Sequence, residues 1–164
     1  MNKKDIFNFL ETPKGKMFLN VIESNGNKFN TIHAHLIFEE IMTELLLDVF
    51  CHNKGLESAK LQFHQKLHLV YALKGDLLSH QLYGGLKKLN KIRNSYAHTL
   101  NPNGVTELEE DLISTIPKEM FPDKEPFILN KIEIEQTYSF NEKYVVSLNW
   151  LFEALINITN QRSQ

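Results

Sequence analysis

The sequence predicts an all-α protein, a single-domain helical bundle of about five main helices spanning residues 1–164. Three observations carry this. Apolar residues recur every three or four positions in several long segments. These segments end at Gly, Asn and Pro clusters, the usual helix punctuation. Only Ile132-Glu133-Ile134-Glu135 alternates with period two, as a short strand or extended arm would.

Taken in order, Asp5 to Glu11 reads as a short helix. Thr12-Pro13 looks like an N-cap followed by proline at the first helical position, opening a second helix to about Glu23. Ser24-Asn25-Gly26-Asn27 is a loop. Thr31 to Asn53 is a long amphipathic helix, with Ile37, Ile41, Leu45 and Val49 four apart and Gly55 as its stop. Leu56 to Leu73 follows, with Phe63, Leu67, Val70 and Leu73 on one face. Gly75-Asp76 closes it and caps the next.

Leu77 to Leu100 has Leu78, Leu82, Leu86 and Leu89 as its stripe. Gly84-Gly85 inside it predicts a break or kink, since each glycine costs about 1 kcal/mol against alanine in a helix. Asn101-Pro102-Asn103-Gly104 terminates it. Thr106-Glu107-Leu108-Glu109 has a capping-box pattern and opens a short acidic helix. Ile116 to Pro126 reads as loop. Ser139-Phe140-Asn141-Glu142 is a second capping box; it opens a C-terminal packing helix over 139–160, with Tyr144, Leu148, Leu151, Leu155 and Ile158 on one face.

Composition excludes several functions. Hydrophobic residues make up 42% and charged residues 23%, ordinary for a globular chain. The net charge of −2 gives no global attraction to nucleic acid, so any RNA contact must use a local patch. The single cysteine, Cys51, allows no internal disulfide and suits a reducing compartment. No signal-peptide h-region and no apolar run of membrane-spanning length is present, so a cytoplasmic protein without a membrane partner is expected.

The chemistry concentrates in Lys91-Ile92-Arg93-Asn94-Ser95-Tyr96-Ala97-His98. Arginine offers a permanent charge and a planar fork of donors that fits phosphate. Histidine moves protons near neutral pH. Five residues of helix advance about 7.5 Å and turn about 140°, so Arg93 and His98 of one chain are not side by side. Asn94 and His98, four apart, share a face. Arg93 continues the apolar stripe, where a charge needs a partner or a wet cleft. A two-fold interface between two copies of this helix is one solution. Lys87, Lys88 and Lys91 precede the motif and form the one local basic patch, read either as an RNA-binding surface or as a solvated helix face.

Arg-x4-His with asparagine after the arginine resembles the signature of the HEPN superfamily of helical proteins. The run from Lys66 to Gly75, then Tyr83, then Leu89 to His98, looks like its mannitol-operon-repressor-like branch. Glu39 with Met42, Leu45 and Leu46 is similar to that branch's earlier helix. The likeness covers roughly residues 31–100. It implies a homodimer and divides on function. Many HEPN proteins are metal-independent RNA endonucleases of toxin–antitoxin and defence systems, acting at a composite dimer site. On that reading Arg93 clamps the scissile phosphate, His98 is acid or base, Asn94 orients His98 or the phosphate, and an antitoxin is a partner. The repressor-like branch implies instead a non-catalytic regulator or adaptor. One departure is Leu100, where several toxin members have tyrosine.

Other candidates are weaker. His64 and His68 have a metal-ligand spacing, but Gln65 stands where a zinc protease has glutamate and no third ligand is apparent. His33 and His35 face different sides of a helix. Cys51-His52 neighbours diverge by about 100°. Trp150 and Phe152 read as core. No phosphate-binding glycine motif occurs, so no metal and no cofactor is expected.

Overall fold

The computed structural model describes residues 16, 26–50, 53–98, 104–121, 127–129, 132–134 and 137–160. Among these are six α-helices: α1 (Asn27–Leu47), α2 (Asn53–Ser58), α3 (Phe63–Lys74), α4 (His80–His98), α5 (Val105–Thr115) and α6 (Phe140–Asn160). A 3₁₀ turn at Lys118–Met120 and a small antiparallel hairpin, β1 (Phe127–Leu129) with β2 (Ile132–Ile134), lie between α5 and α6. The chain is an all-α bundle. The two helices predicted before Glu23, and Cys51-His52, lie outside the described residues.

The apolar stripes form one core. Ile37, Ile41 and Leu45 of α1, Leu82, Leu86 and Leu89 of α4, and Tyr144, Leu148, Leu151, Leu155 and Ile158 of α6 are all buried in it. Helix α1 packs on α3, α4 and α6, and α4 packs on α5. Helices α3 and α4 run antiparallel, as the pairings of Tyr71 with His80 and of His68 with Tyr83 require. Phe38 stacks on Phe152 across the α1–α6 seam, with ring centroids 6.1 Å apart. One buried polar pair crosses that seam: Thr31 and Tyr144 share a hydrogen bond of 2.6 Å.

Several predicted boundaries move. Helix α1 begins at Asn27 and stops at Leu47, so Val49 is 39% exposed and off the stripe. Gly55 lies inside α2 instead of ending a helix. The segment from Leu56 to Leu73 is two helices, not one. Lys60 takes a left-handed backbone, φ 46°, which ends the first, and Gln62 caps the second. The box is reciprocal, with the Gln62 amide donating to Gln65 Oε1 at 2.8 Å. Ser79, not Asp76, caps α4: its hydroxyl accepts from the Leu82 amide at 3.1 Å.

Gly84-Gly85 breaks nothing; α4 is continuous. The reason is packing. A Cβ on Gly85 would stand 2.6 Å from Leu151 Cδ2, so the glycine lets α6 approach α4. The Thr106–Glu109 box is absent: Gly104, at φ 94°, precedes α5, and Glu109 is buried and engaged elsewhere. The second box is real. The Ser139 amide donates to Glu142 Oε2 at 2.8 Å, and the Glu142 amide donates to Ser139 Oγ at 3.3 Å.

Candidate active-site cleft

Helix α4 presents Asn90, Arg93, Asn94 and His98 to one open cleft of about 580 Å³. That volume lies in the range of small-molecule and cofactor sites. The α1 side supplies His35 and Glu39. The turn Lys60-Leu61-Gln62 and the first turn of α3, Phe63-His64, complete the wall. The break between α2 and α3 therefore forms part of the wall.

All three predicted catalytic residues line this cleft. Arg93 is half-buried, while Asn94 and His98 are exposed. The Arg93 guanidinium donates to Asn94 Oδ1 at 3.2 Å, so Asn94 positions Arg93 as it stands. Among the described residues no carboxylate pairs with Arg93, which leaves most of its donor fork for an incoming anion.

The predicted RNA-binding lysines sit differently. None of the three lines the cleft. Lys88 is held by Asp111, with Nζ 2.8 Å from Oδ1, and donates to Thr115 Oγ1 at 2.6 Å. It ties α4 to α5 and is not a free cation. Lys87 lies over the Tyr83 ring, 5.5 Å from its centroid. Lys91 is exposed.

Beneath Arg93 is a residue that motif reading passes over. His35 is 4% exposed and stacks on Phe63 at 4.1 Å between ring centroids. Its Nε2 donates to Asn90 Oδ1 at 3.0 Å. Burial holds the imidazole below its usual range; the Asn90 bond and Glu39 push the other way, and Arg93 and Lys66 reinforce burial. His35 is therefore neutral near pH 7. Glu39 is occupied by Lys66, whose Nζ is 2.8 Å from Oε1. The cleft thus combines an uncompensated guanidinium, Lys60, three histidines and a carboxylate already neutralised by a lysine, a composition suited to an anion.

The missed residues had a readable signal. Asn90 lies three and four residues before Arg93 and Asn94, so the three share a face. His35 interrupts the apolar side of α1 one turn before Glu39. His64 and His68 do not act together: His68 Nδ1 pairs with the Tyr83 hydroxyl at 2.9 Å, while His64 lines the cleft. Among the described residues no group of three His, Cys, Asp or Glu could hold a metal ion. No described helix is long and apolar enough to cross a membrane.

No protein-family model matches the chain, and neither does any curated protein or solved structure.

Proposed function

We propose that this protein is a metal-independent RNA endonuclease of a toxin or defence system. The observation that carries the reading is the convergence of Arg93, Asn94 and His98 in one cleft with no carboxylate on the arginine among the described residues. A guanidinium so placed binds a phosphodiester and offsets the charge that develops on its oxygens. His98, exposed in the same cleft, moves a proton to or from the sugar or leaving oxygen. Lys87 and Lys91 supply cations outside the cleft for the flanking backbone. The sequence resemblance adds a cytoplasmic homodimer and an antitoxin or regulatory protein as partner to the proposal.

The test is incubation of the purified protein with end-labelled single-stranded RNA and with DNA of the same sequence, in EDTA. RNA should be cut to products ending in a 2′,3′-cyclic phosphate, and DNA should survive because it lacks the attacking hydroxyl. Cleavage that stops on chelation and returns with magnesium contradicts the reading.

A further inference from the structure

We propose that His35 is the general base of this site, taking the proton of the ribose 2′-hydroxyl beside the phosphate held by Arg93. One chain then carries base and acid in a single cleft. The inference rests on the endonuclease reading above.

Three observations converge on His35. Its Nδ1 is buried and has no hydrogen-bond partner. Buried polar atoms are nearly always satisfied, so an orphan on the wall of a cleft calls for an explanation, and a ligand donor supplies one. The tautomer is fixed: Nε2–H donates to Asn90 Oδ1 at 3.0 Å, which leaves the lone pair on Nδ1. Asn90 does for His35 what a third residue does for the histidine of a catalytic triad, holding ring and tautomer. The ring is also clamped against Phe63.

The surroundings suit the task. Glu39 Oε2 stands 4.0 Å from Nδ1, too far for a hydrogen bond. Its side chain is 28% exposed, so it can yield to a sugar hydroxyl. Burial keeps the ring in its accepting form, and the charges of Arg93 and Lys66 act in the same sense. Helix α4 places His98 about 7.5 Å further along than Arg93, and the proposal gives it the leaving oxygen.

The step balances as follows. The 2′-O–H bond breaks and its proton goes to His35 Nδ1. The 2′-oxygen forms a bond to phosphorus. The bond from phosphorus to the 5′-oxygen breaks, and that oxygen takes a proton from protonated His98. Products are a 2′,3′-cyclic phosphate and a 5′-hydroxyl. Solvent then removes the proton from His35 and restores one to His98.

The experiment compares wild type, His35→Gln, Asn90→Ala and His98→Ala on two RNA substrates, one ordinary and one with sulfur in place of the 5′-oxygen at the scissile bond. A thiolate leaves without protonation, so the sulfur substrate dispenses with the acid but not with the base. On ordinary RNA both histidine variants should lose roughly 10²–10⁴-fold. The sulfur substrate should rescue His98→Ala and leave His35→Gln slow. Asn90→Ala keeps the imidazole but frees its tautomer; it should lose roughly tenfold or more and also resist rescue, so it decides the matter if His35→Gln fails to fold. Mixing His35→Gln with His98→Ala should restore nothing, since each chain's cleft lacks one group. Wild-type rates in His35→Gln, rescue of that variant by sulfur, or recovery on mixing would each overturn the assignment while leaving the endonuclease reading intact. A wild type that cuts neither substrate overturns both.

Discussion

The Tyr96 hydroxyl donates to Glu109 Oε1 across 2.7 Å, tying the last turn of the motif helix α4 to α5. Asn27, at the start of α1, donates to Oε2 of the same carboxylate at 3.3 Å. Three helices therefore meet on one carboxylate, itself 3% exposed. Tyr96 belongs to the motif by sequence, but its role here is to brace the helix that carries Arg93 and His98.

Glu109 should make stability depend on pH in an unusual sense. Burial raises its pKa above the ordinary carboxylate value, while the Tyr96 and Asn27 bonds lower it. A raised folded-state value means the native state holds the proton longer. The contribution is full below the unfolded carboxylate value and is lost as pH rises through the raised one. Glu109→Gln removes the titration yet keeps an acceptor for Tyr96. Its melting temperature at pH 7 should match or exceed wild type, and the difference should shrink toward pH 4. A fall of several degrees at pH 7 would mean the ionised form is stabilising.

His35 works in the opposite direction. Burial depresses its pKa, so the unfolded chain binds its proton first and stability is lost as pH falls below about 6.5. His35→Gln should therefore flatten the stability profile between pH 6.5 and 5. Urea melts across that interval measure it; an unchanged slope would show that His35 does not titrate differently on folding.

The adjacent glycines give a paired test of packing. Nothing lies within 4 Å of a Cβ added at Gly84, so Gly84→Ala should stabilise by roughly 0.5–1 kcal/mol through helix propensity alone. At Gly85 the same change meets Leu151, which is fully buried. Gly85→Ala should lose stability by roughly 1–3 kcal/mol as the core is overpacked. Thermal melts with opposite signs support the close approach of α4 and α6; equal gains contradict it.

These positions also show what the sequence revealed and what it hid. The buried stripes of α1, α4 and α6 were legible because a period of 3.6 repeats over many residues. The box at Ser139–Glu142 was legible because its two members bond each other three residues apart. Gly84-Gly85 was misread as a break, since propensity is local and the partner that needs the glycine, Leu151, lies 66 residues away. The Thr106–Glu109 box was misread for a similar reason: Tyr96 and Asn27 claim the glutamate. At the site, the motif announced Arg93, Asn94 and His98. Spacing marks His35 only as a polar break in the apolar side of α1; its meaning comes from Asn90, 55 positions on.

The lysines should separate by role. Lys91→Ala and Lys87→Ala should weaken RNA binding about equally for all sequences and lower the salt slope by about 1 each. Lys88→Ala breaks the bond to Asp111 and should mainly lower the melting temperature, by the small amount typical of a surface ion pair, under roughly 1 kcal/mol. A salt slope that changes most in Lys88→Ala would reverse this assignment.

The central claim is that the cleft beside Arg93 cuts RNA and that His98 moves a proton there. Single-turnover cleavage of end-labelled RNA in EDTA, wild type against His98→Ala at matched folding, tests it most directly. The account predicts metal-free cutting by wild type and a loss of roughly 10²–10⁴-fold in the variant, with the melting temperature unchanged. Equal rates in the two proteins, or a wild type that leaves RNA intact, would contradict it and favour a non-catalytic regulator.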